Sequence, residues 1–193
     1  MAKKKAKKTA KPARKATKAV KKTAKKKSSK PAAVKANKKT AAKPAPRLTS
    51  INPYITMPGN CEDAFNFYKS VFGGKFGYIG RFKDMPPTEG QPPIPASESE
   101  KIMHISLPIS AETVLMGSDS SEAFGQTNVT GNNFSISVNA SSQSVADKLF
   151  NGLSNGGQVT MPIGKTFWGA YFGMCTDKFG IQWMLNFDLP PAK

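Results

Sequence analysis

Residues 53–74 read PYITMPGNCEDAFNFYKSVFGG, and in this stretch a short extended run leads directly into a helix. Ile51–Met57 is predicted to be a strand that ends before a Gly-Asn pair. The helix should span Cys61–Phe72, because its apolar residues recur at helical spacing and Asn60 is suited to cap its first turn. Gly73 should end this helix in the left-handed conformation.

Residues 134–157, FSISVNASSQSVADKLFNGLSNGG, repeat that arrangement. Phe134–Val138 alternates as a strand, and Ser141 or Ser142 should cap the helix that follows it. About three further extended segments follow the helix in each half, so the sequence predicts the order strand, helix, three strands twice. These segments are Phe76–Phe82, Ile102–Ile109 and Thr113–Gly117 in the first half, and Gln158–Ile163, Trp168–Thr176 and Gln182–Phe187 in the second.

The positive charge of the chain is concentrated at its N-terminus. The 193 residues include 29 Lys+Arg and 12 Asp+Glu, but residues 1–47 hold 20 of the bases and none of the acids, which leaves +20 there and −3 in the remainder. Residues 1–47 also lack aromatic residues and apolar periodicity, so they cannot bury a core. We therefore predict a disordered Lys/Ala/Pro-rich basic tail over 1–47 and a folded domain over 48–193, with modules at about 50–119 and 132–188.

A polycation of this kind binds phosphate by releasing counterions, so we expect nucleic acid, DNA or RNA, to be the partner of the tail. The alternatives are a solubilising extension or an anchor for anionic lipid, although such anchors usually add an apolar face. The composition of the tail is similar to the Lys/Ala/Pro tails of linker histones and of some bacterial histone-like proteins. The cations expected to contact nucleic acid are Lys3, Lys4, Lys5, Lys7, Lys8, Lys11, Arg14, Lys15, Lys18, Lys21, Lys22, Lys25, Lys26 and Lys27.

The sequence disfavours several other classes of protein. No run approaches the roughly 18 apolar residues that cross a bilayer, so we expect no membrane insertion. The basic N-terminus lacks the apolar segment of a signal peptide. Cys61 and Cys175 form neither a metal-binding spacing nor a disulfide framework, and reduced thiols in a cytosolic compartment are the simplest interpretation. We therefore expect a cytoplasmic protein, with association with the nucleoid through the tail left open.

Motifs distributed over residues 50–188 resemble those of one known family. They are Pro53-Tyr54-Ile55-Thr56-Met57, Ala64 through Phe67-Tyr68 to Val71-Phe72-Gly73-Gly74, Ile102-Met103-His104, Leu115-Met116-Gly117-Ser118-Asp119, Thr166-Phe167-Trp168-Gly169 and Thr176-Asp177-Lys178-Phe179-Gly180-Ile181-Gln182-Trp183-Met184. In this order they resemble the PhnB-like branch of the vicinal oxygen chelate superfamily, which includes glyoxalases, bleomycin-resistance proteins and dioxygenases. The resemblance implies an α+β fold of paired βαβββ modules, a curved half-barrel mixed sheet, and usually a homodimer.

The same resemblance bears on metal binding, because metal-dependent members use four ligands, one from the first and one from the last strand of each module. When the family's four ligand positions are transferred to this sequence through the resemblance, they fall at or near Asn52, Met116, Ser135 and Met184. Such side chains do not hold a divalent ion against water. We therefore expect no usual metal site, no cofactor, and neither glyoxalase nor extradiol dioxygenase chemistry, with a divalent metal left as the open alternative.

Strand alternation directs polar and aromatic side chains to the concave face, which is typical of small-molecule recognition. Ile102, His104 and Ser106 should share that face. His104 is the only histidine, so any imidazole general base must be this residue. The alternative is an inert histidine that is hydrogen-bonded within its strand. The predicted ligand-binding residues are Tyr54, His104, Ser106, Trp168, Phe172, Gln182 and Asn186.

The first module also contains a long segment, Asp84–Ser99, that is rich in proline. Loops of this length inside a compact domain are usually functional or mobile. We expect this one to form a lid over the first module's end of the cavity.

Three functions from different classes remain open. The first is a metal-independent small-molecule-binding domain that the tail tethers to nucleic acid. The second is an enzyme with a metal-free or weak-metal mechanism in the same cavity. The third is a histone-like nucleic-acid packing protein whose domain only dimerises and doubles the valency of the tail. The methyltransferase label of some PhnB-like sequences is disfavoured, because no Gly-rich βα turn is present for a nucleotide-like methyl donor.

Overall fold

The order strand, helix, three strands occurs twice within residues 50–190, which are the residues that the computed structural model describes. The first module consists of β1 (Tyr54–Met57), α1 (Cys61–Phe72), β2 (Tyr78–Arg81), β3 (Ile102–Pro108) and β4 (Val114–Asp119). The second consists of β5 (Ile136–Asn139), α2 (Gln143–Ser154), β6 (Gln158–Lys165), β7 (Ala170–Thr176) and β8 (Gln182–Asp188). Short 3-10 helices, Phe82–Asp84 and Glu122–Phe124, follow β2 and β4. The predicted tail and its nucleic-acid-contacting cations lie outside the described residues.

Each module forms a four-stranded mixed sheet. The strand orders are β1-β4-β3-β2 and β5-β8-β7-β6. The edge strands β1 and β5 pair in parallel with β4 and β8, and the other pairs are antiparallel. This arrangement confirms the predicted α+β class with paired βαβββ modules. Within residues 50–190, no helix combines the length and the apolar character needed to cross a membrane.

The two helices begin in different ways. At α2 the hydroxyl of Ser142 accepts a hydrogen bond from the Val145 backbone N–H at 3.2 Å, as the sequence predicts. The prediction that Asn60 caps α1 is wrong, because its side chain makes no capping hydrogen bond. The N–H of Cys61 donates instead to the carboxylate of Asp119 at 2.8 Å, so the end of β4 supplies the cap from 58 positions away.

The apolar faces of α1 and α2 pack with the sheets in one core that both modules share. Phe65 and Tyr68 come from α1, Leu149 and Leu153 come from α2, and Trp183 comes from β8. The ring of Tyr68 meets that of Trp183 edge to face, with centroids 5.5 Å apart. Burying each such side chain contributes about 1.5–3 kcal/mol. The shared core therefore holds the two sheets at fixed positions.

Strand β3 departs from simple alternation at its start. The sequence predicts that Ile102 faces the concavity together with His104 and Ser106, but Ile102 is 1% exposed and belongs to the core. The prediction is wrong because the pairing of β2 with β3 shifts register between Gly80 and Arg81. A bulge of this kind inserts one unpaired residue and changes which side chains share a face.

Candidate ligand-binding site

Each sheet carries a row of four side chains at equivalent positions. The strand register places the four directly opposite one another on neighbouring strands, and opposed side chains share a face. On β1, β4 and β8 their neighbours along the strand, Ile55, Leu115 and Leu185, belong to the core, so these members lie on the face turned away from it. Tyr78 and Met161, on the edge strands β2 and β6, join the rows through their strand pairing, and the β6–β7 register shifts on both sides of Met161. The first row is Tyr54, Met116, Ser106 and Tyr78, and the second row is Ser137, Met184, Met174 and Met161.

His104 lies near the rings of two tyrosines of the first row. The Tyr54 hydroxyl is 3.4 Å from the imidazole Nδ1, and the two rings stack with centroids 5.7 Å apart. The centroid of the Tyr78 ring lies 5.8 Å from that of His104. His104 is half-buried, whereas Tyr54 and Tyr78 are 50% and 49% exposed. This His104 cluster (Tyr54, Tyr78 and His104) presents an imidazole and two phenols, all of which can donate or accept hydrogen bonds.

Tyr78 is a member of the cluster that sequence reasoning missed. Its ring lies over Gly80, where a Cβ would sit 2.9 Å from atoms of the ring. Glycine therefore allows the tyrosine ring to lie along β2 beside His104. The alternation of Tyr78 and Gly80 on one face of the strand is a sequence signal, but it becomes informative only once β2 is known to pair with β3.

Three of the predicted residues lie together in the second module. Phe172 is directly opposite Asn186, and the ring of Trp168 packs edge-on against Phe172 with centroids 5.9 Å apart. Trp168 is 53% exposed. The amide nitrogen of Asn186 donates to Asn139 at 3.2 Å and to Asp188 at 3.0 Å, so partners within the protein already occupy this amide.

Gln182 lies apart from both groups. It stands at the start of β8, and its Nε2 donates to the Phe134 carbonyl at 3.1 Å. Within residues 50–190 no hydrogen bond or ring contact joins the residues predicted on the first sheet to those on the second. The structure therefore brings the predicted residues together in two groups. Tyr54, His104 and Ser106 lie on the first sheet, and Phe172 and Asn186 lie on the second sheet beside Trp168 of the turn between β6 and β7.

A cavity of about 800 Å³ is lined by residues of β1 and β5, one edge strand from each sheet. Tyr54 and Ser137, the first members of the two rows, both line it. Phe72 from α1 and Leu149 from α2 contribute apolar lining that sequence reasoning did not predict. Their helical spacing marks them as core residues, and only the positions of the two edge strands show that they also border a cavity.

The observed register favours Tyr54 over Asn52 as the first of the positions that correspond to the family's metal ligands. Tyr54 is the residue that lies directly opposite Met116. The Asn52 side chain has a structural role, because its Oδ1 accepts from the Val114 N–H at 2.9 Å and its Nδ2 donates to Ser50 at 3.1 Å. Asn52 therefore holds the start of β1 against β4.

The second module shows the same shift of two residues, because Ser137 rather than Ser135 lies opposite Met184. The four positions thus carry Tyr54, Met116, Ser137 and Met184. A phenol, a hydroxyl and two thioethers lack the imidazole and carboxylate donors that divalent ions prefer, so this donor set does not fit the metal that the fold family implies. Within residues 50–190, no group of three or more His, Cys, Asp or Glu side chains could hold a metal ion.

Neither cysteine has the properties of a nucleophile. Cys61 and Cys175 are both buried. Burial, with a smaller contribution from the charge of Asp177, raises the pKa of Cys175 to about 11. Burial and the nearby Asp119 carboxylate raise the pKa of Cys61 as well. Both thiols stay protonated at neutral pH and are weak nucleophiles.

A buried carboxylate fixes the end of the proline-rich segment Asp84–Ser99. Glu98 is 5% exposed, accepts hydrogen bonds from the Ser121 hydroxyl and the Glu122 N–H, and forms an ion pair with Lys101 at 3.1 Å. The hydrogen bond from Ser121 is the largest cause that lowers the pKa of Glu98 to about 2. No residue of Asp84–Ser99 lines the 800 Å³ cavity, and the lid stays a prediction.

Two βαβββ modules, each with an uncharged row of side chains on its open face, define a glyoxalase-like α+β protein. A family model described as 3-demethylubiquinone-9 3-methyltransferase matches residues 49–186. The chain belongs to this family, as the PhnB-like resemblance of its motifs implies.

Relatives from three bacteria carry the same domain. Protein YjdN of Escherichia coli (strain K12) is 28% identical over 141 residues, which are 70% of this chain and 93% of that protein. Protein PA1353 from Pseudomonas aeruginosa is 39% identical, covers 73% of this chain and 98% of its own, and superimposes with a TM-score of 0.63. A Bacillus cereus protein described as a putative 3-demethylubiquinone-9 3-methyltransferase, PhnB protein, is 24% identical over 71% of this chain and 98% of its own, with a TM-score of 0.56. At that identity the Bacillus protein shows the fold alone.

Proposed function

We propose that residues 48–193 form a small-molecule-binding domain whose ligand contacts the His104 cluster, without a divalent metal ion at the family's ligand positions. The placement of the His104 imidazole beside the rings of Tyr54 and Tyr78 carries this proposal. The Tyr54 hydroxyl, 3.4 Å from Nδ1, orients the imidazole and leaves Nε2 to contact a ligand.

The lining of this face favours a neutral ligand that is partly aromatic. The first row and the adjacent pair Thr56 and Ser118 contribute hydroxyls, phenol rings and a thioether, with no formal charge. The rings provide stacking area, and the hydroxyls and the imidazole provide directional hydrogen bonds. An ionised ligand would lose water here without gaining a counter-charge.

NMR of the imidazole tests this proposal, because the chain has one histidine and therefore one imidazole spin system. We expect neutral heterocyclic fragments to shift the His104 signals of the full chain. Tyr78→Leu should weaken that binding about tenfold. Tyr171→Phe is a matched control, since its hydroxyl donates to Asp147 of α2 at 2.7 Å, and it should bind as the wild type does. A fragment library that leaves the His104 signals unmoved contradicts the proposal.

A second candidate is a metal-free or weak-metal enzyme that uses the same cluster. The Tyr54 phenol beside Nδ1 of His104 supports this candidate, because a hydrogen-bond partner at Nδ1 favours one tautomer of the imidazole. Nε2 is then available to accept or donate a substrate proton. Turnover of a fragment found by NMR, lost in His104→Gln, would identify the enzyme. Methyl transfer, which the descriptions of the family and of the Bacillus protein name, is not part of this proposal, because the turn between β1 and α1, Pro58-Gly59-Asn60, is not the Gly-rich turn of a nucleotide site.

We also propose that residues 1–47 tether the domain to DNA or RNA, in the cytoplasm or on the nucleoid. The charge of +20 in this segment, against −3 in the remainder, supports the proposal. Deleting residues 1–47 should abolish retention on DNA at low salt and leave the domain folded. If about ten cations contact phosphates, the slope of log binding constant against log salt should be near −9. Retention that survives the deletion contradicts the tether.

A homodimer is the assembly that we propose for the domain. Large apolar side chains are exposed at the ends of the second sheet's strands, with Phe134 at 68%, Phe167 at 97% and Trp168 at 53%. Contact between two copies would remove such surface from water. Sedimentation of the full chain should give the mass of a dimer, and Phe167→Ser with Trp168→Ser should shift it toward the monomer. A dimer also doubles the valency of the tail, as the alternative of nucleic-acid packing requires. A wild-type chain that sediments as a monomer contradicts the assembly.

A further inference from the structure

The second row carries three methionines side by side, and the His104 cluster does not use them. Met161 on β6 lies opposite Met174 on β7, and Met174 lies opposite Met184 on β8. We propose that these three thioethers bind one soft monovalent metal ion, cuprous copper, Cu(I), for which silver, Ag(I), is a chemical analogue. This site goes beyond the proposed small-molecule function and stands independently of it.

The spacing across the sheet allows the three sulfur atoms to converge. Neighbouring strands are about 4.8 Å apart, so the backbones of Met161 and Met184 are separated by about 10 Å, with Met174 between them. A methionine side chain has three rotatable bonds, and the outer two can therefore lean toward the middle one. All three residues are half-buried, so part of each residue is accessible from solvent.

The surroundings of the row favour a soft ion with a single charge. Ser137 continues the row beyond Met184, and Phe172 and Thr176 flank Met174 along β7. All of these side chains are uncharged. Thioethers are soft ligands that select Cu(I), whereas Mg²⁺, Ca²⁺ and Mn²⁺ need oxygen donors. Neutral donors also leave the charge of the ion uncompensated, which costs much less for one charge than for two.

Packing alone does not account for this row. Sheets favour β-branched and aromatic side chains, and methionine has no such preference. At the equivalent positions of the first sheet, Ser106 stands in place of Met174 and Tyr78 in place of Met161. Met116 corresponds to Met184, but the duplicated fold does not require methionine at the positions of Met161 and Met174, and thioether ligation gives a reason for methionine there.

The two cysteines do not offer a competing site. Cys175 follows Met174 in β7, but it is 1% exposed and its side chain lies in the core. Cys61 is 0% exposed and belongs to the first module. Burial raises the pKa of both thiols, so neither supplies the thiolate that binds copper.

Methyl NMR of the full chain separates the signals of its eight methionines. Protein labelled with 13C at the methionine methyl groups would be titrated with silver nitrate in chloride-free buffer, and with Cu(I) under anaerobic conditions. The signals of Met161, Met174 and Met184 should move together and saturate at one equivalent. Those of Met57 and Met103 should stay in place. The absence of any shift, or shifts that follow general exposure without saturation, would overturn the site.

Two variants test the affinity of the site. Met174→Leu combined with Met184→Leu conserves side-chain volume, so we expect the fold to persist. Its affinity for Cu(I), measured in competition with bicinchoninate, should fall by at least about tenfold. Met85→Leu, in the proline-rich segment, is the matched control and should bind as the wild type does. Equal affinities of the double variant and the wild type would overturn the proposal, and the methyl titration decides it independently if the double variant unfolds.

Discussion

The hydroxyl of Tyr68 on α1 donates to Asp177 Oδ2 at 2.9 Å, and this hydrogen bond joins the first module to the second. The same oxygen accepts from the indole N–H of Trp183 at 2.8 Å. The other carboxylate oxygen accepts from the backbone N–H groups of Phe179 at 2.8 Å and Ile181 at 3.0 Å. Asp177 is 3% exposed, so one carboxylate satisfies four donors within the protein. Burial first, and the charge of Asp177 second, raise the pKa of Tyr68.

Asp177→Ala should destabilise the protein much more than Tyr68→Phe. The alanine leaves four donors without an acceptor, and each buried, unsatisfied group costs about 1–3 kcal/mol, so the free energy of unfolding should fall by at least about 3 kcal/mol. Tyr68→Phe keeps the ring in the core and removes one donor, which should cost about 1 kcal/mol. Urea unfolding followed by tryptophan fluorescence measures both. Similar stabilities of the two variants would contradict the joining role of Asp177.

Two glycines on neighbouring strands of the second sheet should respond differently to alanine. A Cβ at Gly173 on β7 would lie 2.7 Å from the Ile163 Cα and 2.9 Å from the Phe150 ring, so Gly173→Ala overpacks the core and should cost about 1–3 kcal/mol. Nothing lies within 4 Å of a Cβ at Gly164 on β6, and Gly164→Ala should change stability by less than about 0.5 kcal/mol. Thermal unfolding compares the two. Equal melting temperatures would show that α2 does not approach β7 as described.

The helix starts provide a second matched pair. Ser142→Ala removes a real cap and should cost about 1 kcal/mol, because the Val145 N–H loses its acceptor. Asn60→Ala should cost less than about 0.5 kcal/mol or even stabilise α1, because the Oδ1 of Asn60 is buried without a hydrogen-bond partner among the described residues. Denaturant unfolding of both variants checks the order. A larger loss of stability for Asn60→Ala than for Ser142→Ala would indicate that Asn60 caps α1 after all.

Glu98 should make the stability depend on pH in the acid range. Its pKa is lowered from 4.5 to about 2 in the folded protein, so its contribution is complete above pH 4.5 and is lost as the pH falls toward 2. Unfolding experiments between pH 5 and 2 should therefore show a shallower loss of stability for Glu98→Gln than for the wild type. Glu89→Gln, an exposed carboxylate in the same segment, is the control and should keep the wild-type slope. Identical slopes for Glu98→Gln and the wild type would contradict the buried contacts of Glu98.

The bounds of helix α1 are predictable to the residue from local periodicity and the glycine that follows it, but Gly73 has φ 82° and ψ −162°, so the left-handed conformation predicted for it is wrong. The cap of α1 is not predictable, since Asp119 reaches Cys61 from another strand. The position of Ile102 is missed for a related reason. A bulge depends on how two strands pair, and no pattern within β3 encodes that pairing.

In the candidate site, too, the features set by local sequence are predictable and those set by long-range strand pairing are not. Alternation correctly puts Tyr54, His104 and Ser106 on one face, because side-chain direction in a strand is a local property. Alternation cannot show that Tyr78 approaches His104, since this depends on the register between β2 and β3. For the same reason, the sequence does not predict that the methionines of the second row lie side by side, because they come from three different strands.

A crystal structure of the full chain purified from its producing cells tests the central claim most directly. We predict electron density for an organic molecule in contact with His104 Nε2 and the rings of Tyr54 and Tyr78. We also predict no divalent ion at the four family positions, Tyr54, Met116, Ser137 and Met184. A divalent metal ion held by those four side chains, or a His104 ring sealed by protein atoms with no room for a ligand, would contradict the account.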